Sequence, residues 1–269
     1  MVDRETKLCI SIATKASNFG ASMHNAGYAS LDLNYVYLPV ATTDTHGAVV
    51  AMRALNIRGM SVSVPHKQTI MPMLDEVDEI AREIGAVNTV INEDGRLVGR
   101  NYDWIGVVKA LEEVTTIKGK TVALLGAGGA ARAIVYGLRK AGAVVDVYNR
   151  DQSRGRQLVE ALGGNFKGAL TDARSLQCDV LINATSVGSQ NTEMPISQEH
   201  IPEQCIVMDI VPLPVQTEFI KAAKSKGCMT VAGVRMLVHQ ASRQFEDYTG
   251  SKASIEVMEN ALMKAIEDS

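Results

Sequence analysis

Residues 122–150 read VALLGAGGAARAIVYGLRKAGAVVDVYNR, an apolar strand joined through a glycine turn to a helix and then to a second apolar strand. Gly126-Ala127-Gly128-Gly129-Ala130-Ala131 has the Gly-x-Gly-x-x-Gly/Ala spacing of a dinucleotide-binding turn, in the strand–turn–helix setting that the spacing requires. The first glycine makes the tight turn and the second lets backbone amides approach a pyrophosphate. Ala131 lets the helix pack close on the strand. The helix N-terminus adds unpaired N–H groups and the positive end of its dipole. Because this unit begins only at residue 122 of 269, a separate upstream domain is expected to hold whatever the cofactor acts on.

Apolar runs at Thr121–Leu125, Val144–Tyr148, Val180–Asn183 and Ile206–Asp209 alternate with helical windows, which predicts a doubly wound parallel sheet. Upstream, strands are expected at Leu8–Ile12, Tyr35–Val40 and Gly59–Val64. Helical segments are expected at His24–Asp32, from a Thr43 or Asp44 cap to Leu55, at Lys67–Met73, Val77–Ile84 and Trp104–Val114. AVNTVINEDGRLVGRN reads as a hairpin turning at Asp94-Gly95. The polar stretch Thr115–Lys120 is the expected domain boundary, and the helical residues from Arg235 onward are expected to return to the first domain. The fold class is α/β.

The formal net charge of −3, with 21% charged residues, leaves no basic field for nucleic acid, so a small-molecule partner is expected. Cys9, Cys178, Cys205 and Cys228 show neither paired metal-ligand spacing nor a disulfide framework, and no metal is expected. Residues 1–7 lack the apolar run of a signal peptide, and no stretch has the roughly 18 apolar residues of a membrane span. A cytoplasmic protein without a membrane partner is the expectation, with a homodimer left open.

The end of the second strand of the dinucleotide unit sorts cofactors. An NAD enzyme usually carries an acidic residue there for the ribose hydroxyls. Here the strand ends Asn149-Arg150-Asp151, with Arg154 a helical turn later, and two guanidinium groups suit a 2′-phosphate. NADP is therefore favoured. Asp146 reads as an ordinary strand residue, whereas Asp151 either repels a phosphate or accepts from a ribose hydroxyl.

Hydride transfer at a carbinol carbon needs a group that exchanges the hydroxyl proton. Lys67, after a buried strand, and Asp103, after the hairpin, are candidates. A lysine serves if burial lowers its pKa towards about 7–8 from about 10.4, while an adjacent carboxylate acts the other way. Spacing alone does not pair the two, and read singly they are a lysine and a helix N-cap.

Taken in order, SVSVPHK, IGAVNTV, GRNYDW, GAGGAARA, YNR, NATSVG and GVRMLVHQ span nearly the whole chain, and the set resembles the shikimate dehydrogenase family. The resemblance implies an N-terminal substrate domain (1–104), a Rossmann-type NADP domain (105–236) and C-terminal helices returning to the first domain (237–269). The implied activity interconverts shikimate and 3-dehydroshikimate, in aromatic amino acid biosynthesis. The resemblance makes Lys67 and Asp103 the catalytic pair and has Ser63, Asn88 and Gln240 bind substrate hydroxyls and carboxylate. It has Gly126, Ala127, Gly128, Gly129 and Ala130, with Asn149, Arg150 and Arg154, hold the cofactor. Thr185, Ile210, Gly233 and Met236 line its nicotinamide side, and substrate binds between the domains.

Several positions depart from the family pattern. Counted back from His24-Asn25, the family's Ser-x-Ser-Pro serines fall on Asn18 and Gly20, leaving Ser17 as the nearby hydroxyl. Tyr102 replaces a threonine, and Pro212 stands where a substrate-contacting tyrosine is usual. Ser17, Asn18 and Tyr102 thus complete the expected substrate frame. The pattern is similar to the divergent shikimate dehydrogenase-like branch, so quinate or another polyol acid is an alternative substrate, and a metabolite-binding module without turnover is a second alternative.

Overall fold

Period-two alternation along apolar strands builds two sheets, each with both faces covered. The computed structural model describes residues 2–189 and 191–268, so Met1 of the N-terminal segment lies outside them. It divides into Met1–Tyr102 with Val238–Ser269, and Asp103–Leu237.

The first unit contains β1 (Lys7–Ala13), α1 (Phe19–Ser30), β2 (Tyr35–Ala41), α2 (Thr45–Ala54), β3 (Gly59–Val62), α3 (His66–Thr69), β4 (Glu76–Val77), α4 (Glu79–Ile84), β5 (Thr89–Glu93) and β6 (Arg96–Arg100). Its sheet runs β2-β1-β3-β5-β6-β4, parallel across β2-β1-β3, antiparallel across β3-β5-β6 and parallel again at β4. Ile10, Ile12, Met60 and Val62 bury one face against Val49 and Met52 of α2. Asp44 caps α2 by accepting the Gly47 N–H at 2.8 Å, as the sequence predicts. The helix expected at His24–Asp32 instead starts a turn earlier, because Gly20 and Ala21 blur its apolar period. It stops before Asp32, which sits at φ +50°. β3 ends at Val62, two residues short of expectation, where Ser63 leads into the turn before α3.

The second unit contains α5 (Asp103–Glu112), β7 (Thr121–Leu125), α6 (Gly129–Lys140), β8 (Val144–Tyr148), α7 (Gln152–Leu162), β9 (Asn165–Gly168), β10 (Val180–Asn183), β11 (Ile206–Asp209), α8 (Glu218–Ser225) and β12 (Met229–Val231). The wholly parallel order β12-β11-β10-β7-β8-β9 is doubly wound about β7. Val122 and Leu124 face the core beneath α5 and α6, while Ala123 and Leu125 face the core beneath α8.

The expected boundary at Thr115–Lys120 lies one helix too late. α5 belongs to the second unit because Val107, Val108 and Leu111 enter its core and Gly137 admits the Trp104 backbone oxygen 3.0 Å from where a Cβ would stand. Trp104 meets Tyr136 edge-on at 5.7 Å, an anchoring role for the indole.

Two helices close the chain, α9 (Gly233–Thr249) and α10 (Ile255–Glu267). α9 starts in the second unit, and its residues from Val238 onward group with the first, as does α10, which packs on α1. There Phe245 and Tyr248 fill space that Gly27 and Gly59 leave open, for a Cβ on these glycines would lie 2.7 and 2.3 Å from the rings. Among the described residues, no helix is long and apolar enough to cross a membrane.

Candidate active site

The glycine turn has the shape its sequence requires. Gly126 sits at φ +117°, and a Cβ there would stand 2.9 Å from the Ala184 carbonyl oxygen and 3.0 Å from Thr185 Cγ2. The close approach joins the loop after β7 to the loop after β10, at the point where the strand order reverses. Among the described residues nothing beyond the adjoining backbone lies within 4 Å of the Cβ positions of Gly128 and Gly129, and no side chain caps α6 at Gly128. The first-turn amides of α6 are thus placed for phosphate oxygens. A Cβ on Gly233 would lie 2.6 Å from the carbonyl carbon and oxygen of Ile210 and the oxygen of Val211, so this glycine seats α9 against the loop after β11. Ile210 and Met236 both pack on the core beneath α6. The structure therefore brings Gly126 to Thr185, and Ile210 to Gly233, at the carboxyl ends of the strands. This cradle fits a dinucleotide.

At the end of β8 the role of Asp151 is resolved in part. It caps α7, accepting the Arg154 N–H at 3.1 Å, and its carboxylate also faces Arg154 Nε at 3.4 Å. Asn149 Nδ2 donates to the Asp151 carbonyl at 2.6 Å. Arg150 and Arg154 are exposed, with the latter's guanidinium beside its own helix cap.

A buried polar network beneath the loops after β10 and β11 was not anticipated from sequence. Asn183 Oδ1 accepts the Thr185 N–H at 3.0 Å and its hydroxyl at 2.7 Å, while Nδ2 donates to Asp209 Oδ1 at 3.0 Å and the Val187 carbonyl at 3.2 Å. Asp209 also accepts from the Val211 N–H and from the Thr217 hydroxyl at 2.7 Å. Burial raises the pKa of Asp209, against the opposing pull of these hydrogen bonds. Such a connected network makes the loops after β10 and β11 rigid. The signal available in the sequence was a polar residue closing each of two adjacent buried strands.

In the first unit, Ser63 leaves the end of β3, its N–H donating to the Ile12 carbonyl, and Lys67 follows on α3. His66 is a structural neighbour. Its Nε2 lies 3.0 Å from the Thr42 carbonyl, which can only accept, so Nε2 carries the proton and Nδ1 accepts from the Thr45 hydroxyl at 2.7 Å. The Lys67 carbonyl accepts the Val87 N–H, tying α3 to the segment that carries Asn88.

Asn88 is 2% exposed, and three hydrogen bonds assign its amide orientation the same way. Oδ1 accepts the Tyr102 N–H at 2.9 Å and the Thr89 hydroxyl at 2.7 Å, and Nδ2 donates to Gln240 Oε1 at 3.0 Å. Gln240 consequently presents its amide N–H groups as donors. The Tyr102 hydroxyl, expected at the substrate, is taken by the Asp247 carboxylate on α9. Asn101 donates to the Ala86 carbonyl at 2.9 Å. Asp103, 3% exposed, opens α5 at the start of the second unit. Ser17 and Asn18 lie exposed at the start of α1, where Asn18 makes no side-chain cap, and Gly20 packs its missing side chain's space against the Tyr37 ring. His24 packs in the core, where its ring stacks on Tyr37 at 4.5 Å.

Comparison with known proteins covers both units. Residues 16–90 match the shikimate dehydrogenase substrate binding domain, 108–225 match shikimate / quinate 5-dehydrogenase, and 233–263 match the shikimate 5'-dehydrogenase C-terminal domain. The chain is 40% identical to the shikimate dehydrogenase (NADP(+)) of Geobacillus kaustophilus, covering 91% of this chain and 92% of that one. It is 35% identical to the shikimate dehydrogenase-like protein of Haemophilus influenzae, with 97% of each covered. Among solved structures, the shikimate 5-dehydrogenase of Thermus thermophilus in complex with NADP(H) and shikimate is similar at a TM-score of 0.88 and 33% identity, covering 97% of this chain and 99% of that one.

Proposed function

Because the chain belongs to the shikimate dehydrogenase family, we propose that it interconverts shikimate and 3-dehydroshikimate with NADP, as a cytoplasmic enzyme. The observation that carries the reading is the cradle of the second unit, where Gly126 meets Ala184–Thr185 and Gly233 meets Ile210–Val211 around an uncapped helix start.

When bound, the reduced cofactor NADPH would supply the hydride for carbonyl reduction, and NADP+ would take it in the reverse direction. The amides of residues 127–130 hold the phosphates, Arg150 and Arg154 bind the 2′-phosphate, and Asn149 orients the turn that carries them. Thr185, Ile210, Gly233 and Met236 line the nicotinamide side. In the first unit Gln240 and Asn88 orient the substrate through their amides, with hydroxyls from Ser63 and Ser17 and the Asn18 amide completing the frame. Lys67 would exchange the proton of the reacting hydroxyl, and Asp103 would keep that lysine and the substrate oriented.

The test is NADP reduction by purified protein with shikimate, set beside quinate and beside NAD. Shikimate-dependent reduction of NADP is the expected result. Turnover of quinate in preference to shikimate would instead favour the polyol-acid alternative motivated by Asn18, Gly20, Tyr102 and Pro212, and tight shikimate binding without turnover would favour the binding module.

A further inference from the structure

α9 carries two adjacent stripes. Ala241, Phe245 and Tyr248 form a buried apolar one, and Gln240, Gln244 and Asp247, also spaced i, i+4, i+7, form a polar one that does not face solvent alone. Gln244, 2% exposed, donates to the Asn88 carbonyl at 3.2 Å and the Thr89 hydroxyl at 2.8 Å and accepts from the Ser61 hydroxyl at 3.1 Å. Gln240 accepts from Asn88, and Asp247 accepts from Tyr102 and from Arg100 Nη1 at 2.6 Å. A helix that reads as amphipathic thus places its polar side chains against the ends of β3, β5 and β6.

Tyr102 is where this stripe closes on itself. Its N–H donates to Asn88 Oδ1, Asn88 Nδ2 donates to Gln240 Oε1, the helix backbone runs from Gln240 to Asp247, and Asp247 accepts the Tyr102 hydroxyl. The circuit contains both amides assigned to the substrate, and its next residue along the chain is Asp103. We propose that Tyr102 is a positioning residue for substrate binding, acting through Asp247 to hold Asn88 and Gln240 in register rather than touching the substrate with its hydroxyl. This inference rests on the functional reading above.

The charges around Asp247 support that role. Its side chain is 8% exposed and bracketed by Arg100 and by Arg243 Nη2 at 3.3 Å, while Glu93 faces Arg100 and Glu246 faces Arg243. The Arg243 guanidinium also lies over the Tyr102 ring at 5.5 Å. Burial, with Asp247 adding to it, raises the pKa of the phenol, so it acts as donor to the carboxylate. A threonine at this position, with its hydroxyl on Cβ, would fall short of Asp247.

Steady-state kinetics of wild type, Tyr102→Phe, Tyr102→Thr, Asp247→Asn and the Tyr102→Phe/Asp247→Asn double variant test the proposal. Tyr102→Phe keeps the ring and its packing, so folding is not at stake. The expected result is a shikimate KM raised roughly tenfold in Tyr102→Phe, an NADP KM unchanged, and a double variant no worse than the worse single one. Tyr102→Thr should resemble Tyr102→Phe. A wild-type shikimate KM in Tyr102→Thr would show that residue 102 meets the substrate directly and would overturn the proposal, as would equal rises in both KM values or an unmoved KM in Tyr102→Phe. Absence of shikimate turnover by the wild type sinks the functional reading and this inference with it, whereas an active wild type with an unmoved Tyr102→Phe sinks this inference alone.

Discussion

Asn88 Nδ2 donates to Gln240 Oε1 at 3.0 Å, linking residues 152 positions apart, and so turns the Gln240 N–H groups outward as donors. Polarity at this point is therefore set by the protein. Gln240→Glu keeps the bond from Asn88 but replaces the donors with a charged acceptor at the proposed substrate site. A shikimate KM raised roughly 10- to 100-fold, with a far smaller effect on NADP, is the expected outcome of initial-rate measurements.

Lys67→Ala and Asp103→Asn are expected to lower kcat by roughly 10²- to 10⁴-fold each. If the two serve one proton exchange as proposed, the double variant should fall well short of the product of the single losses. Multiplicative losses would mean that they serve different steps. Thermal melts on the same preparations check that each variant is folded.

Arg150→Ala/Arg154→Ala should raise the KM for NADP by roughly 10- to 100-fold and change that for NAD little. Since Asp151 occupies the cap of α7 and shares Arg154, Asp151→Ser retains the cap and should sharpen the preference for NADP. The ratio of kcat/KM for the two cofactors is the readout. A ratio unchanged in both variants would remove these residues from cofactor selection.

The two glycines of the turn should separate by what they affect. Gly126→Ala meets both a positive φ and the Ala184 carbonyl, at a stability cost of roughly 1–3 kcal/mol. Gly128→Ala, at φ −87° with open space beyond it, should melt like wild type and yet bind NADP weakly. Denaturant midpoints and cofactor titrations distinguish the two cases.

Burial pushes the His24 pKa down to about 3, with the nearby Gln244 amide only partly opposing, and neither ring nitrogen has a hydrogen-bond partner among the described residues. The unfolded chain binds this proton near the ordinary histidine pKa and the folded chain does not. The contribution is therefore complete at neutral pH and is lost as pH falls from about 6.5 towards 3, at about 1.4 kcal/mol per pH unit. His24→Phe should flatten the acid limb of a stability–pH curve and leave neutral stability equal or higher. An acid limb of undiminished slope would assign it to the carboxylates instead.

The cofactor unit was legible because buried parallel strands are continuous apolar runs: Thr121–Leu125, Val144–Tyr148, Val180–Asn183 and Ile206–Asp209 have the bounds read from sequence. Glu76–Val77, Asn165–Gly168 and Met229–Val231 were not read as strands, since short or polar edge segments carry little pattern. From composition and periodicity α5 was legible as a helix but not as a member of the second unit, where only the family resemblance put it, because its partner surface at Gly137 has no side chain to announce it. The stripe Gln240–Gln244–Asp247 was hidden for a different reason. Polar residues at helical spacing read as a solvated face, and only the strand ends opposite show that these amides and this carboxylate satisfy one another inside the fold.

Gly27 and Gly59 are small because Phe245 and Tyr248 occupy the space in front of them. The sequence freedom of these early positions is thus governed by residues near the other end of the chain. Across relatives, a bulkier residue at position 59 should travel with a slimmer one at 248, and likewise 27 with 245, so each pair should evolve as a unit.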